Sequence, residues 1–168
     1  MPSIEQLNSP DDDEARALLS GCLSVPRWVD EVLAGRPYSS VEELLGAADS
    51  AARTLDADEV ETALAGHPRI GERASSGHNM SASEHEQAGI DRRDADVSAR
   101  LAAANAAYEQ RFGRVFLVRA AGRSADDVLT ELDRRLANDD ITEEREVVDN
   151  LREIALLRLE ELVRPWRR

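Results

Sequence analysis

The sequence contains no lysine: every one of its 21 basic residues is an arginine. That absence removes several mechanisms at once. A Schiff-base lysine, including the anchor of pyridoxal phosphate, cannot exist here, and neither can a Walker A loop with its Gly-Lys-Ser/Thr. The single cysteine, Cys22, excludes an internal disulfide and any multi-cysteine zinc site. No apolar run approaches the ~18 residues of a membrane span. Residues 1–13 lack the basic start and apolar stretch of a secretory signal. Acidic residues outnumber basic ones 34 to 21, for a net charge of −13, which argues against a duplex nucleic-acid partner. The expectation is one domain over residues 1–168 in the cytoplasm, with no membrane and no nucleic acid. A chain of 168 residues buries roughly 68–70% of its unfolded surface without staples.

What is present is helical periodicity from end to end. Ser9, Pro10 and the acids 11–14 predict an N-cap, a first-turn proline and dipole-matched charge, opening a helix that stops near Gly21. A short second helix holds Trp28, Val29, Val32 and Leu33 and ends at Gly35. Ser40 caps a third with Val41, Leu44, Leu45 and Ala48 at helical spacing. Asp56 or Asp58 starts another through Val60, Ala63 and Leu64, closed by Gly66.

From Pro68 to Met80 the pattern lapses into a loop of about a dozen residues, long enough to suspect a function. Helical order resumes at Ser83 and again near Asp91 or Asp94. Leu101, Asn105, Tyr108 and Phe112 fall on one stripe. Gly113 and Gly122 bracket a short extended segment near 115–119, too short to found a sheet. Ser124 caps a helix through Val128, Leu129, Leu132 and Leu136, and Thr142 caps the last long one. The fold class is all-α, with about eight helices.

Three features can carry chemistry. The last helix has an apolar stripe of Val147, Val148, Leu151, Ile154, Ala155, Leu159 and Leu162, and Arg158 sits near its middle. Arg145, Arg152 and Arg164 fall off the stripe as solvated charges. An inward guanidinium needs a partner, either a helix acid or an anionic or carbonyl-bearing ligand. His67 follows Gly66, and Pro68 pushes it out of the helical region. An imidazole with an unperturbed pKa near ~6.5 can serve there as general acid or base. In Ser83-Glu84-His85-Glu86-Gln87, a capping box accounts for Ser83 and Glu86, but a helix N-terminus also attracts anions, and capping leaves Gln87 unexplained. The spacing of His67, His78 and His85 matches no standard zinc pattern, so no metal is expected. These groups suit cofactor-free proton transfer on a small polar anion. They equally suit a helical interaction or adaptor protein with ordinary capping.

His67-Pro68-Arg69-Ile70-Gly71-Glu72 and Ser83-Glu84-His85-Glu86-Gln87-Ala88-Gly89 closely resemble the signature of the 2-oxo-4-hydroxy-4-carboxy-5-ureidoimidazoline (OHCU) decarboxylases, which act in urate breakdown. Leu7-Asn8, Pro26, Trp28-Val29, Arg36-Pro37-Tyr38 and Asn105-x-x-Tyr108-x-x-x-Phe112-Gly113 also look like family positions. So do Arg135-Leu136-x-Asn138 and Ile154-Ala155-x-x-Arg158-Leu159. The resemblance covers nearly the whole chain in order; after Phe112-Gly113, where many members have Phe-Pro, this chain has Arg114-Val115. It implies an all-α, usually dimeric enzyme without metal or organic cofactor that forms (S)-allantoin from a small-molecule ureidoimidazoline carboxylate. It further implies His67 as catalytic acid/base and Glu86 as the carboxylate working with it. Pro68, Ser83, Glu84 and Gln87 would line the substrate pocket, and Arg158 would reach the ligand. The backbone of Phe116, Leu117, Val118, Arg119 and Ala120 resembles the family segment that hydrogen-bonds the ring and ureido group.

Overall fold

Every regular element among the described residues is a helix, and no strand occurs among them. The computed structural model describes residues 3–67 and 95–164. The helices are α1 (Ile4–Leu7), α2 (Asp12–Cys22), α3 (Pro26–Ala34), α4 (Val41–Ala52), α5 (Ala57–Ala65), α6 (Ala95–Phe112), α7 (Ala125–Leu136) and α8 (Asp140–Val163). Among the described residues the expected all-α architecture is present, with eight helices. The expected loop after Pro68 and the expected helix from Ser83 lie outside the described residues, whereas the helix expected near Asp91 or Asp94 is α6, described from Ala95.

The chain forms two compact units, Met1–Ala63 with Leu151–Arg168, and Leu64–Asn150. In the first, α3 packs against both α2 and α4. Its apolar face puts Trp28, Val29, Val32 and Leu33 out of water. Trp28 is fully buried, and its indole Nε1–H donates to the Ala48 carbonyl of α4 at 3.0 Å, so the one polar atom of the ring is satisfied. Residues near the start of the chain are pinned to the α3–α4 connection. Asn8 and Tyr38 exchange two hydrogen bonds of 2.9 Å, amide to carbonyl and backbone N–H to Asn8 Oδ1. Arg36 donates to the carbonyls of Leu7 at 3.2 Å and Ser9 at 2.8 Å. The Tyr38 hydroxyl donates to the Val32 carbonyl at 2.6 Å, and a side chain on Gly35 would collide with that hydroxyl.

The second unit has its core between α6 and α7. Leu101 and Tyr108 of α6 meet Val128, Leu129 and Leu132 of α7, with Phe116 and Val118 from the connection between them. The expected α6 stripe is buried along Leu101, Asn105 and Tyr108. Gly113 ends α6 at φ 69°, and its N–H donates to the Glu109 carbonyl at 2.8 Å. This left-handed turn is one that a side chain would strain.

Several expected helix boundaries need correction. Asp11, not Ser9, caps α2: its carboxylate accepts from the N–H groups of Asp13 and Glu14 at 3.1 and 3.2 Å. A carboxylate at the positive helix end outcompetes a hydroxyl two residues earlier. The same helix ends at Cys22, next to the expected Gly21. Asp139 rather than Thr142 opens α8, accepting from the Thr142 N–H at 2.7 Å. The one-turn α1, capped by Ser3, was not anticipated. Asp56 does begin α5, exchanging hydrogen bonds with Glu59 at 2.8 and 2.9 Å as a capping box. Arg152 is not a solvated charge. It lies half-buried and pairs with Asp49 at 2.7 Å.

Asp49 generates a pH dependence. The Arg152 hydrogen bond holds its carboxyl below the ordinary value of 3.8. A depressed folded-state pKa gives stability that is present above the unfolded value and lost as pH falls through the folded one. Urea denaturation should therefore show Asp49→Asn destabilised at pH 7, with the gap to the parent protein closing as pH falls below about 4. A gap independent of pH would show that the ion pair contributes nothing.

Candidate active site

The connection from α6 to α7 has no regular structure over residues 115–120, yet it is among the most enclosed parts of its unit. Phe116, Leu117 and Val118 are 1%, 4% and 2% exposed, and Ala120 is 4% exposed, while Arg119 is open to solvent. Consecutive burial of three residues means both faces of this stretch are covered. Its backbone polar groups therefore cannot rely on water and need fixed partners. Gly122, at φ 75°, turns the chain out of the segment toward α7.

The partner of the Leu117 carbonyl comes from a buried charge cluster. Arg135 of α7 and Glu143 of α8 are both 0% exposed. The Arg135 Nε–H donates to the two Glu143 carboxylate oxygens at 2.9 and 3.1 Å, and Nη2 also bonds Oε1. Nη1 remains for the Leu117 carbonyl, at 2.7 Å. The guanidinium lies over the Phe116 ring, 4.9 Å from its centroid. Glu143 also accepts from the Tyr108 hydroxyl and, at 3.0 Å, from Asn138 Nδ2. Burial, and then the bond to Glu143, raise the Tyr108 phenol above its ordinary pKa of 10.0, so it stays protonated as a donor. Further along α8, Asn150 Oδ1 accepts from the Arg119 N–H at 3.0 Å, while its Nδ2 donates to the Glu146 carbonyl at 2.8 Å.

His67 sits in the same unit, two residues beyond the last residue of α5, with its N–H donating to the Leu64 carbonyl at 3.0 Å. The residue is half-buried and its Nε2 is shielded from solvent. Arg158 belongs to the other unit and is 9% exposed, in keeping with its place on the apolar stripe. Its charge acts on Cys22 of the same unit. Burial pushes the Cys22 thiol up to about 12, and Arg158 pulls weakly the other way. At neutral pH that thiol is uncharged, so Cys22 is not the counter-ion of Arg158. Pro68, Ser83, Glu84, Glu86 and Gln87 lie outside the described residues.

Sequence reasoning missed Arg135, Glu143 and Asn150 as site-supporting groups. Arg135 follows Val128 and Leu132 by seven and three residues on the α7 stripe, a signal of the same kind that identified Arg158. Glu143 precedes Val147 and Leu151 by four and eight residues on the α8 stripe. Asn150 has no such signal, because its role rests on a contact with a distant backbone group.

The profile of the OHCU decarboxylases matches residues 8–160. A 2-oxo-4-hydroxy-4-carboxy-5-ureidoimidazoline decarboxylase of Haloferax volcanii is 31% identical over 165 residues, covering 95% of this chain and 95% of that protein. A uric acid degradation bifunctional protein of a Bacillus species is 27% identical over 98% of this chain, which spans 33% of that protein's length. In three dimensions the chain is similar to an OHCU decarboxylase crystallised in the presence of (S)-allantoin. The TM-score is 0.71 at 21% identity, over 87% of this chain and 96% of that one, which is a likeness of fold. With the match running from Asn8 to Glu160, this chain belongs to the OHCU decarboxylase family.

Proposed function

We propose that this chain releases carbon dioxide from OHCU and delivers (S)-allantoin, with His67 and Glu86 moving the protons. The observation that carries this reading is the match over residues 8–160, which contains both sequence blocks that hold the pair. By its name, the substrate carries a hydroxyl and a carboxylate on one ring carbon and the ureido group on the next. That carboxylate sits beside a ring C=N bond. When the bond to the carboxylate carbon breaks, carbon dioxide leaves, the electron pair forms a double bond between the two ring carbons, and the C=N pair moves onto the ring nitrogen, which takes up a proton. The hydroxyl then gives up its proton to become the carbonyl of allantoin, and the ureido-bearing carbon takes a proton on one face. The substrate thus has its own electron sink, the element that pyridoxal phosphate supplies in amino-acid decarboxylation. The enzyme's task is to position, shield and protonate.

Glu86 orients or deprotonates the ring hydroxyl, and His67 handles the proton delivered to the ring. Pro68, Ser83, Glu84 and Gln87 line the pocket, Arg158 reaches the ligand, and the backbone of residues 116–120 receives the ring and ureido group. The half-buried place of His67 at a helix end supports its role, because a proton donor shielded from water can protonate one face selectively. No metal or organic cofactor takes part. The family resemblance also supports a cytoplasmic homodimer, and light scattering should then return about twice the 18.5 kDa chain mass.

The reaction can be followed by circular dichroism of allantoin, with OHCU generated in place from urate by urate oxidase and hydroxyisourate hydrolase, in EDTA. The parent chain should give a fast signal of one sign. His67→Ala and Glu86→Ala should each lower the rate by at least about 100-fold, the scale of a lost general acid or base, with helicity unchanged. Normal turnover by both variants would remove the pair from the mechanism. A parent trace no faster than the spontaneous reaction would leave a helical interaction protein as the better reading.

A further inference from the structure

We propose that Arg135 and Asn150 are positioning residues for the ligand-receiving segment, together fixing the two peptide planes on either side of Val118. This rests on the decarboxylase reading above and adds to it two residues outside the proton-transfer pair. The geometry follows from peptide planarity. The Leu117 carbonyl and the Val118 N–H share one peptide plane, and in a trans peptide they point in opposite directions. No cis bond occurs in this segment. Arg135 Nη1 holds the Leu117 carbonyl at 2.7 Å, so the Val118 N–H is aimed away from the guanidinium. The Val118 carbonyl and the Arg119 N–H share the next plane. Asn150 Oδ1 holds that N–H at 3.0 Å, so the Val118 carbonyl is aimed away from Asn150.

One residue thus presents a donor and an acceptor, each with its direction set by a side chain bonded to the opposite edge of its peptide plane. Among the described residues neither group of Val118 takes part in a hydrogen bond, although the residue is only 2% exposed. Enclosed peptide groups are ordinarily paired. A donor and an acceptor on one residue suit an amide or ureido group, which carries both an N–H and a carbonyl. The holders are themselves held. Glu143 occupies the Nε and Nη2 edge of Arg135, which leaves Nη1 for Leu117. The Glu146 carbonyl takes the Asn150 Nδ2–H, which turns Oδ1 toward Arg119.

Asn150 is the better residue to test, since Arg135 variants disturb a buried ion pair, whereas Asn150 is half-buried on a helix that accepts alanine readily. In the full chain, Asn150→Ala should raise KM for OHCU and weaken (S)-allantoin binding, measured calorimetrically, each by about tenfold, the factor carried by one hydrogen bond of ordinary strength. Its thermal midpoint should stay near the parent value. Asn150→Asp keeps an acceptor oxygen for the Arg119 N–H and should fall between the two. A purely structural role would instead lower the folded fraction and the maximal rate, with KM and allantoin affinity unchanged. That result, or an aspartate variant no better than alanine, overturns the positioning role while leaving the decarboxylase reading intact. A parent chain that neither turns over OHCU nor binds allantoin overturns both.

Discussion

A carboxylate and a guanidinium are taken completely out of water in the second unit, and its architecture follows from the need to satisfy them. Removing two such charges from solvent costs several kcal/mol per ion, of order 5 even after relaxation. The cost is offset only if the pair is well aligned and its remaining donors and lone pairs find partners. Here they do. Glu143 receives Arg135, Tyr108 and Asn138, and Arg135 has one nitrogen left for the Leu117 carbonyl. These bonds tie α6, the irregular segment, α7, the α7–α8 turn and α8 to one point. Apolar side chains of equal volume would fill the space, but they could not grip a main-chain carbonyl. The cluster's contribution is therefore direction more than stability. It holds a segment with no helix or ladder of its own in a single backbone conformation.

Much of the helical architecture was legible in the sequence because amphipathic periodicity is a local signal that packing then exploits. Leu101, Asn105 and Tyr108 are buried together on α6, and Ser40 and Ser124 cap their helices as their positions suggest. The failures were competitions between neighbours. Ser9 and Asp11 both precede acids, and so do Asp139 and Thr142; in each case the carboxylate, with charge to offer the helix dipole, takes the cap. The one-turn α1 escaped notice because four residues cannot display a period. The inward place of Arg135, named from the sequence only as a family position, escaped for a different reason. Arginine on a helix is usually a surface residue, and its inward position shows only when its angle is measured against Val128 and Leu132.

Of the residues that carry the family resemblance, a large share are structural. Asn8, Arg36 and Tyr38 clasp the first turns to the α3–α4 connection, and Trp28 ties α3 to α4. Tyr108, Arg135 and Asn138 build the buried cluster. A signature is thus a mixture of groups for chemistry and groups for shape, and spacing alone does not separate them. His67 and Arg158 stood out in the sequence by local context, a proline after the histidine and an apolar stripe around the arginine. Which backbone groups are available to a ligand was illegible. It depends on which carbonyls and N–H groups distant side chains have already taken.

That dependence has a consequence for how the proposed reaction is driven. Decarboxylation removes a negative charge from the bound molecule. A cation placed on the leaving carboxylate stabilises the substrate more than the state in which that charge is being lost, and so works against the chemical step. Peptide groups are neutral, and their hydrogen bonds to a ring or ureido group persist from substrate to product. Holding the ligand by such groups fixes the geometry without anchoring the carboxylate. The orientation of those groups then has to be rigid, because a loosely held peptide plane would turn with the ligand and leave both faces of the reacting carbon open to protonation. A charge cluster with both ions buried and every side of the guanidinium engaged meets that requirement. Its charge acts on the Leu117 carbonyl, within the segment to which the proposed function assigns the ring and ureido group.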